Sequence, residues 1–154
     1  MRYIEEGITG ECIFCAPAAQ EVRRQHLILC VTPHARVMLN KYPYNNGHLL
    51  VSPRRHTARL ADLPEDEYND LMALLRRAVA VLDTALRPQG MNIGLNLGTC
   101  AGAGITDHLH WHVVPRWTGD TNFMPVIGAV KVMPQHLMES YDQLSPLFTA
   151  SPEV

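Results

Sequence analysis

Residues 107–116 read Asp-His-Leu-His-Trp-His-Val-Val-Pro-Arg, so that His108, His110 and His112 alternate with Leu109, Trp111 and Val113. Successive side chains of a β-strand point to opposite faces. The three imidazoles therefore share one face, spaced about 7 Å apart at a rise of roughly 3.3 Å per residue. The apolar residues turn the other way, into a core. Wound as a helix, the same residues would mix rings and apolar groups around the axis. The alternation, the valines and Pro115 predict a strand. A lone histidine is usually a satisfied core or surface residue. Three in strict alternation point to metal binding or phosphoryl chemistry, because imidazole ligates metals, attacks as a nucleophile and moves protons near neutral pH.

The rest of the chain must supply a sheet for that strand. Residues 27–31 form an apolar run closed by Thr32-Pro33, and residues 35–40 alternate as a second strand. Tyr42-Pro-Tyr-Asn-Asn-Gly47 is a turn by composition, and residues 48–52 form a third strand paired with the second through that short connection. Pro64 and the acidic Glu65, Asp66 and Glu67 suit a helix start. Leu71, Leu74, Leu75, Ala78, Leu82 and Leu86 follow at helical spacing, Arg76 and Arg77 lie off that stripe as solvated residues, and Pro88 and Gly90 stop the helix. Residues 91–96 alternate as a fourth strand, the histidine stretch makes a fifth, residues 117–126 read as loop, and residues 134–144 as a final helix. Five strands, antiparallel where connections are short, with one dominant helix predict an α+β domain.

A length of 154 residues suits a single domain over residues 1–154, with a poorly anchored arm at 1–11 and a C-terminal extension at 127–154. A net charge of −2 gives no general electrostatic case for nucleic acid or membrane as partner, so phosphate recognition must be local. No apolar run approaches the ~18 residues that cross a bilayer, and a cytoplasmic protein is expected. In that setting the Cys12-Ile-Phe-Cys15 pair favours a metal or redox site over a disulfide. No thioredoxin-like βαβ pattern surrounds it. A structural zinc needs about four N/S ligands, and His56, after the third strand, and His108 are the chosen partners of Cys12 and Cys15. The glycine-rich stretch at residues 98–104, including Gly102 and Gly104, precedes the histidines, and glycines let backbone N–H groups approach phosphate oxygens. Asn40 and Asn96 each end a predicted strand and matter if those strands converge on the histidines.

Together these residues resemble the histidine-triad (HIT) superfamily, marked by H-φ-H-φ-H-φ-φ with φ apolar, which His108-Leu-His-Trp-His-Val-Val114 fits at every position. C-I-F-C, L-N-x-x-P with G-H-L-L-V-S-P-R-R-H, and N-x-G before the glycine loop fall in the family's order, over roughly residues 12–126. The tail of the motif looks most like bacterial diadenosine tetraphosphate phosphorylases. The resemblance implies a HIT-like fold, a five-stranded antiparallel sheet with one long helix and a short C-terminal helix, and homodimers that join their sheets. It implies nucleotidyl transfer or hydrolysis at an α-phosphate, with a nucleotide as substrate and inorganic phosphate or water as acceptor. His110 would be the nucleophile, and His112 would contact the phosphate and assist the leaving group. Asn96 would bind the α-phosphate and Asn40 the ribose, while Phe14, Met38, His48 and Leu50 would border the base. Zinc-bearing branches use a C-x-x-C pair, a histidine like His56 and the first triad histidine, which matches the ligand set chosen above.

Gly104 and Ile105 stand where many members carry Gln followed by Ser or Thr. Loss of that side-chain amide leaves room for inorganic phosphate as the acceptor. Arg116 is expected to help the local donors on the phosphates. The competing readings are a phosphoramidate hydrolase of the same family, a metal-centred hydrolase or oxygenase built on the three histidines, and a non-catalytic nucleotide-binding module.

Overall fold

The computed structural model describes residues 12–16, 24–120 and 135–149. The expected arm at 1–11, the loop beyond residue 120 and residues 127–134 lie outside them. Five strands form one antiparallel sheet: β1 (Ile28–Val31), β2 (Ala35–Leu39), β3 (Leu49–Pro53), β4 (Gly90–Leu95) and β5 (Trp111–Arg116), in the order β1-β2-β3-β5-β4. Two helices pack on it, α1 (Glu65–Leu86) and α2 (Leu137–Thr149). The α+β architecture with a long and a short helix is the one expected.

Strand alternation sorts the sheet into two faces. Leu29, Val37, Leu39, Leu49, Val51 and Val113 meet Leu71, Leu74, Ala78 and Leu82 of α1 in one core. Each fully buried leucine or valine there contributes about 1.5–3 kcal/mol. The opposite face carries a row running across four strands: Met38 pairs with Leu50, Leu50 with His112, and His112 with Gly94. Every residue of β3 is buried, as a central strand covered on both faces requires. Edge strand β4 is largely exposed, with Ile93 and the following Leu97 about half uncovered.

Helix α1 starts after Pro64, with three acidic residues in its first turn facing the positive end of the helix dipole. It ends on Arg87 in a left-handed conformation, directly before Pro88, which cannot continue the helix. Three expectations need correction. The histidine strand begins at Trp111, so His108 and His110 precede it; the Leu109 N–H leaves the ladder to donate to the Thr57 carbonyl at 2.8 Å. The final helix runs past residue 144 to Thr149, through Pro146, because Leu144 and Phe148 are buried in the core and hold its last turns. It is an integral layer of the fold. Arg77 is not merely solvated, since its guanidinium donates to the Phe148 carbonyl at 2.6 Å and ties α1 to α2. No helix among the described residues is long and apolar enough to cross a membrane.

Candidate active site and metal cluster

The three histidines fall into different surroundings although they are two residues apart. His108 is 1% exposed and His110 is 5% exposed, while His112 is part-buried on β5. Phe14, from the segment carrying the cysteine pair, is fully buried, with its ring centroid 4.9 Å from His108 and 5.2 Å, stacked, from His110. The cysteine segment thus covers the histidine face of the sheet.

Hydrogen bonds fix the tautomers. His110 Nδ1–H donates to the His108 carbonyl at 2.8 Å, which leaves the Nε2 lone pair unprotonated. Burial lowers the His110 pKa, against the opposing effect of that carbonyl, so the ring is neutral at pH 7. A neutral imidazole with an uncommitted Nε2 can attack phosphorus. For His112 the chain of donors is longer. The Tyr44 N–H donates to His48 Nδ1 at 3.0 Å, and Asn40 Nδ2 approaches the same nitrogen at 3.3 Å. His48 therefore carries its proton on Nε2 and donates it to His112 Nδ1 at 2.9 Å. His112 in turn holds its own proton on Nε2, directed away from His48. Burial pushes its pKa down to about 4, with His110 adding a smaller effect in the same direction.

Of the residues expected at the base, Met38 and Leu50 lie in the cross-sheet row with His112, and Phe14 sits beside His108 and His110. His48 is fully buried behind His112 with both ring nitrogens engaged, which makes it a support for that ring. Asn40 is committed to the turn, its Oδ1 accepting the Tyr42 N–H at 3.0 Å. The β4–β5 register pairs Gly94 with His112 and Leu95 with Trp111; Asn96 directly follows β4 and His110 directly precedes β5, at the same end of this strand pair. Gly94 has open space where a side chain would stand, so the row is clear beside His112. Gly102 and Gly104 lie on the exposed connection that leads to His108. The Gly102 N–H closes a turn onto the Thr99 carbonyl at 2.9 Å, so that amide is used within the loop. Arg116 is engaged by Asp120 through two nitrogens, each at 2.6 Å, and by Asn92 at 2.9 Å, which places it at the far end of β5 holding the chain turn. Sequence reasoning missed Tyr44, which stacks on His112 at 5.8 Å with a 13° interplanar angle. Its backbone donor depends on turn geometry that composition does not reveal.

Cys12, Cys15, His56 and His108 converge, with one ligand atom from each lying within 4.8 Å of all the others. Cys15 Sγ is 3.2 Å from His56 Nδ1, and both sulfurs are 3.4 Å from His108 Nδ1. Those separations suit the edges of a tetrahedron with bonds of roughly 2.0–2.3 Å, as zinc prefers. His108 Nε2–H donates to the Pro53 carbonyl at 2.9 Å, which turns its Nδ1 lone pair towards the sulfurs. Burial pushes the His108 pKa to about 4, against the Pro53 carbonyl, so the ring is neutral as a ligand must be. The four donors match the N/S ligand set of a structural zinc site.

A model of the HIT domain matches residues 21–119. The chain is 48% identical over 115 residues to the AP-4-A phosphorylase of Mycobacterium tuberculosis strain H37Rv, covering 75% of this chain and 59% of that protein. It is 34% identical over 109 residues to an uncharacterized HIT-like protein of Methanocaldococcus jannaschii, covering 71% of this chain and 81% of that one. The fold matches a solved structure of a zinc-bound histidine triad family protein from Mycobacterium smegmatis with a TM-score of 0.69, at 27% identity over 90% of this chain and 93% of that one. On the sheet order, the histidine stretch and these matches, the chain belongs to the HIT domain family.

Proposed function

We propose that this chain is a single-domain enzyme that transfers a nucleotidyl group at the α-phosphate of dinucleoside polyphosphates, with diadenosine tetraphosphate as substrate. The observation that carries the reading is the His110 tautomer, whose Nδ1–H is bound to the His108 carbonyl and whose Nε2 is free to attack. His110 Nε2 forms a bond to the α-phosphorus as the bond to the bridging oxygen breaks. Splitting the displacement into two steps lowers each barrier. His112 Nε2–H donates to the phosphate and to the oxygen that leaves, and His48 keeps that proton on the outward nitrogen. Asn96, at the end of β4 beside the start of β5, supplies an amide donor to a non-bridging oxygen as charge develops there. Met38, Leu50 and Phe14 form the apolar wall on the same face, against which a base would lie. Attack by inorganic phosphate on the intermediate frees His110 and releases a nucleoside diphosphate. The similarity to a phosphorylase and the missing Gln at Gly104 favour phosphate over water.

Cys12, Cys15, His56 and His108 would hold a zinc ion, and their convergence would keep the cysteine segment, and with it Phe14, against the triad. A cytoplasmic setting keeps both thiols reduced. The exposed edge β4, with Ile93 about half uncovered, supports a homodimer that continues the sheet. The test is incubation with diadenosine tetraphosphate with and without inorganic phosphate, followed by product chromatography. ADP formed only with phosphate supports the reading; AMP and ATP without phosphate indicate hydrolysis, and binding without turnover rejects it.

A further inference from the structure

Arg36 lies on β2, on the histidine face of the sheet, and its side chain is fully buried. Its Nε, Nη1 and Nη2 have no hydrogen-bond partner among the described residues. A guanidinium is always charged, carries five N–H donors and accepts nothing. Left so in a protein interior, it is strongly unfavourable unless an acceptor, preferably an anion, is supplied.

The surroundings narrow the choice of acceptor. Arg36 pairs across the sheet with Ser52, and the next pair along joins Ala35 to Pro53, whose carbonyl holds His108 of the metal cluster. The groups that feel its charge include both cysteines and His108, three of the four cluster residues. Among the described residues the further charged neighbour is Arg54, which repels it. Ser52 Oγ is also buried without a partner among the described residues, yet a hydroxyl alone does not neutralise a cation. His108 has both ring nitrogens committed, Nε2 to Pro53 and Nδ1 to the sulfurs. Among the described residues the Cys12 and Cys15 sulfurs remain. Zinc binding deprotonates both thiols and sends the protons to solvent, and the resulting thiolates keep lone pairs that accept N–H donors.

We propose that Arg36 is a positioning residue for the metal cluster: once zinc is bound, its guanidinium donates to the Cys12 and Cys15 thiolates and orients them under the sheet. The assignment rests on the cluster taking zinc, and it goes beyond the four ligands to a residue outside them. Without the metal, Arg36 is a burden on the fold; with it, Arg36 is a support.

Those opposite signs define the test. The probe is zinc alone, titrated against a chromophoric chelator, with thermal midpoints recorded before and after loading. Arg36→Met keeps length and apolar volume. It should weaken zinc binding 10–100-fold, as loss of groups that orient metal ligands does, raise the midpoint of the zinc-free chain, and shrink the rise that zinc produces. Arg36→Lys keeps the charge without the planar fork and should fall between. With cobalt in place of zinc, the sulfur-to-metal charge-transfer band should move in both variants relative to the parent chain. Unchanged zinc affinity in Arg36→Met overturns the assignment, and so does an equal loss of stability with and without zinc. Should the methionine variant fail to fold, an unmoved cobalt band in Arg36→Lys overturns it instead. A parent chain that takes up no zinc overturns the cluster itself, whereas zinc held equally by parent and variant rejects only the role of Arg36.

Discussion

Replacing His48 by leucine should separate support of a catalytic ring from the chemistry of that ring. The hydrogen bonds removed include those to Asn40 Nδ2 at 3.3 Å, the Tyr44 N–H at 3.0 Å and His112 Nδ1 at 2.9 Å. At about 1 kcal/mol net per hydrogen bond, with part of an additional penalty for donors left unpaired, the fold should lose roughly 2–4 kcal/mol. Leucine fills the space, so no large cavity is added. The catalytic loss has a different origin. Without the His48 donor, His112 can place its proton on either nitrogen and its ring is free to turn. Misplacement of this kind costs up to about 100-fold in rate, or about 2.7 kcal/mol of transition-state energy. It should fall on kcat, with KM little changed. The assay is the rate of diadenosine tetraphosphate cleavage for His48→Leu, His112→Ala and the double variant. Because His48 acts through His112, the leucine substitution should cost less than about 3-fold once His112 is gone. His48→Gln, which restores a donor, should recover part of kcat. Independent, multiplying losses in the double variant would refute the relay.

Acidification should weaken the fold through the His112 ring. The folded-state pKa of His112 is about 4, against 6.5 for a free histidine, so the unfolded chain takes up the proton first. Stability is complete above pH 6.5 and declines as pH falls from 6.5 to about 4, by at most about 3 kcal/mol from this ring; in His112→Asn, urea denaturation across that window should show a slope smaller by close to one proton. Leu144→Ala should cost roughly 2–5 kcal/mol, because the side chain is fully buried where α2 meets the core; a loss under about 0.5 kcal/mol by urea denaturation would mean that α2 is a dispensable extension. Gly47→Ala should lower stability by about 2–3 kcal/mol, since Gly47 has φ +72° and an added Cβ would meet Leu86 Cδ1 and lie 3.2 Å from Leu82 Cδ2; a thermal midpoint equal to the parent's would show that this turn relaxes freely.

The parts of this molecule that were legible in the sequence are those where one periodicity decides the outcome. The leucine stripe from Leu71 to Leu86 marked α1, and alternation marked β2 and β3 within one residue of their ends. Cys12, Cys15, His56 and His108 could be chosen together because a metal constrains ligand type and number, and the four side chains do converge. Alternation could not reveal that the backbone at His108 and His110 leaves the ladder, because that depends on the Thr57 and Pro53 carbonyls, which are distant in sequence. The last turns of α2 lie beyond the expected end at residue 144, because a proline at 146 disfavours a continuing helix and only the fold shows Phe148 buried. Arg116 read as a free cation near the histidines; only the fold shows that Asp120 takes it. Arg36 gave no signal at all, since an arginine in an alternating strand ordinarily faces water.

The most direct measurement is rapid acid-free quenching of the chain during turnover of diadenosine tetraphosphate, followed by peptide mass spectrometry. The expected result is one acid-labile adenylyl group on the peptide carrying His110, formed at the rate of the first step and absent from His110→Ala, which still binds nucleotide. Turnover with no adduct, an adduct on another residue, or an active His110→Ala variant would contradict the account.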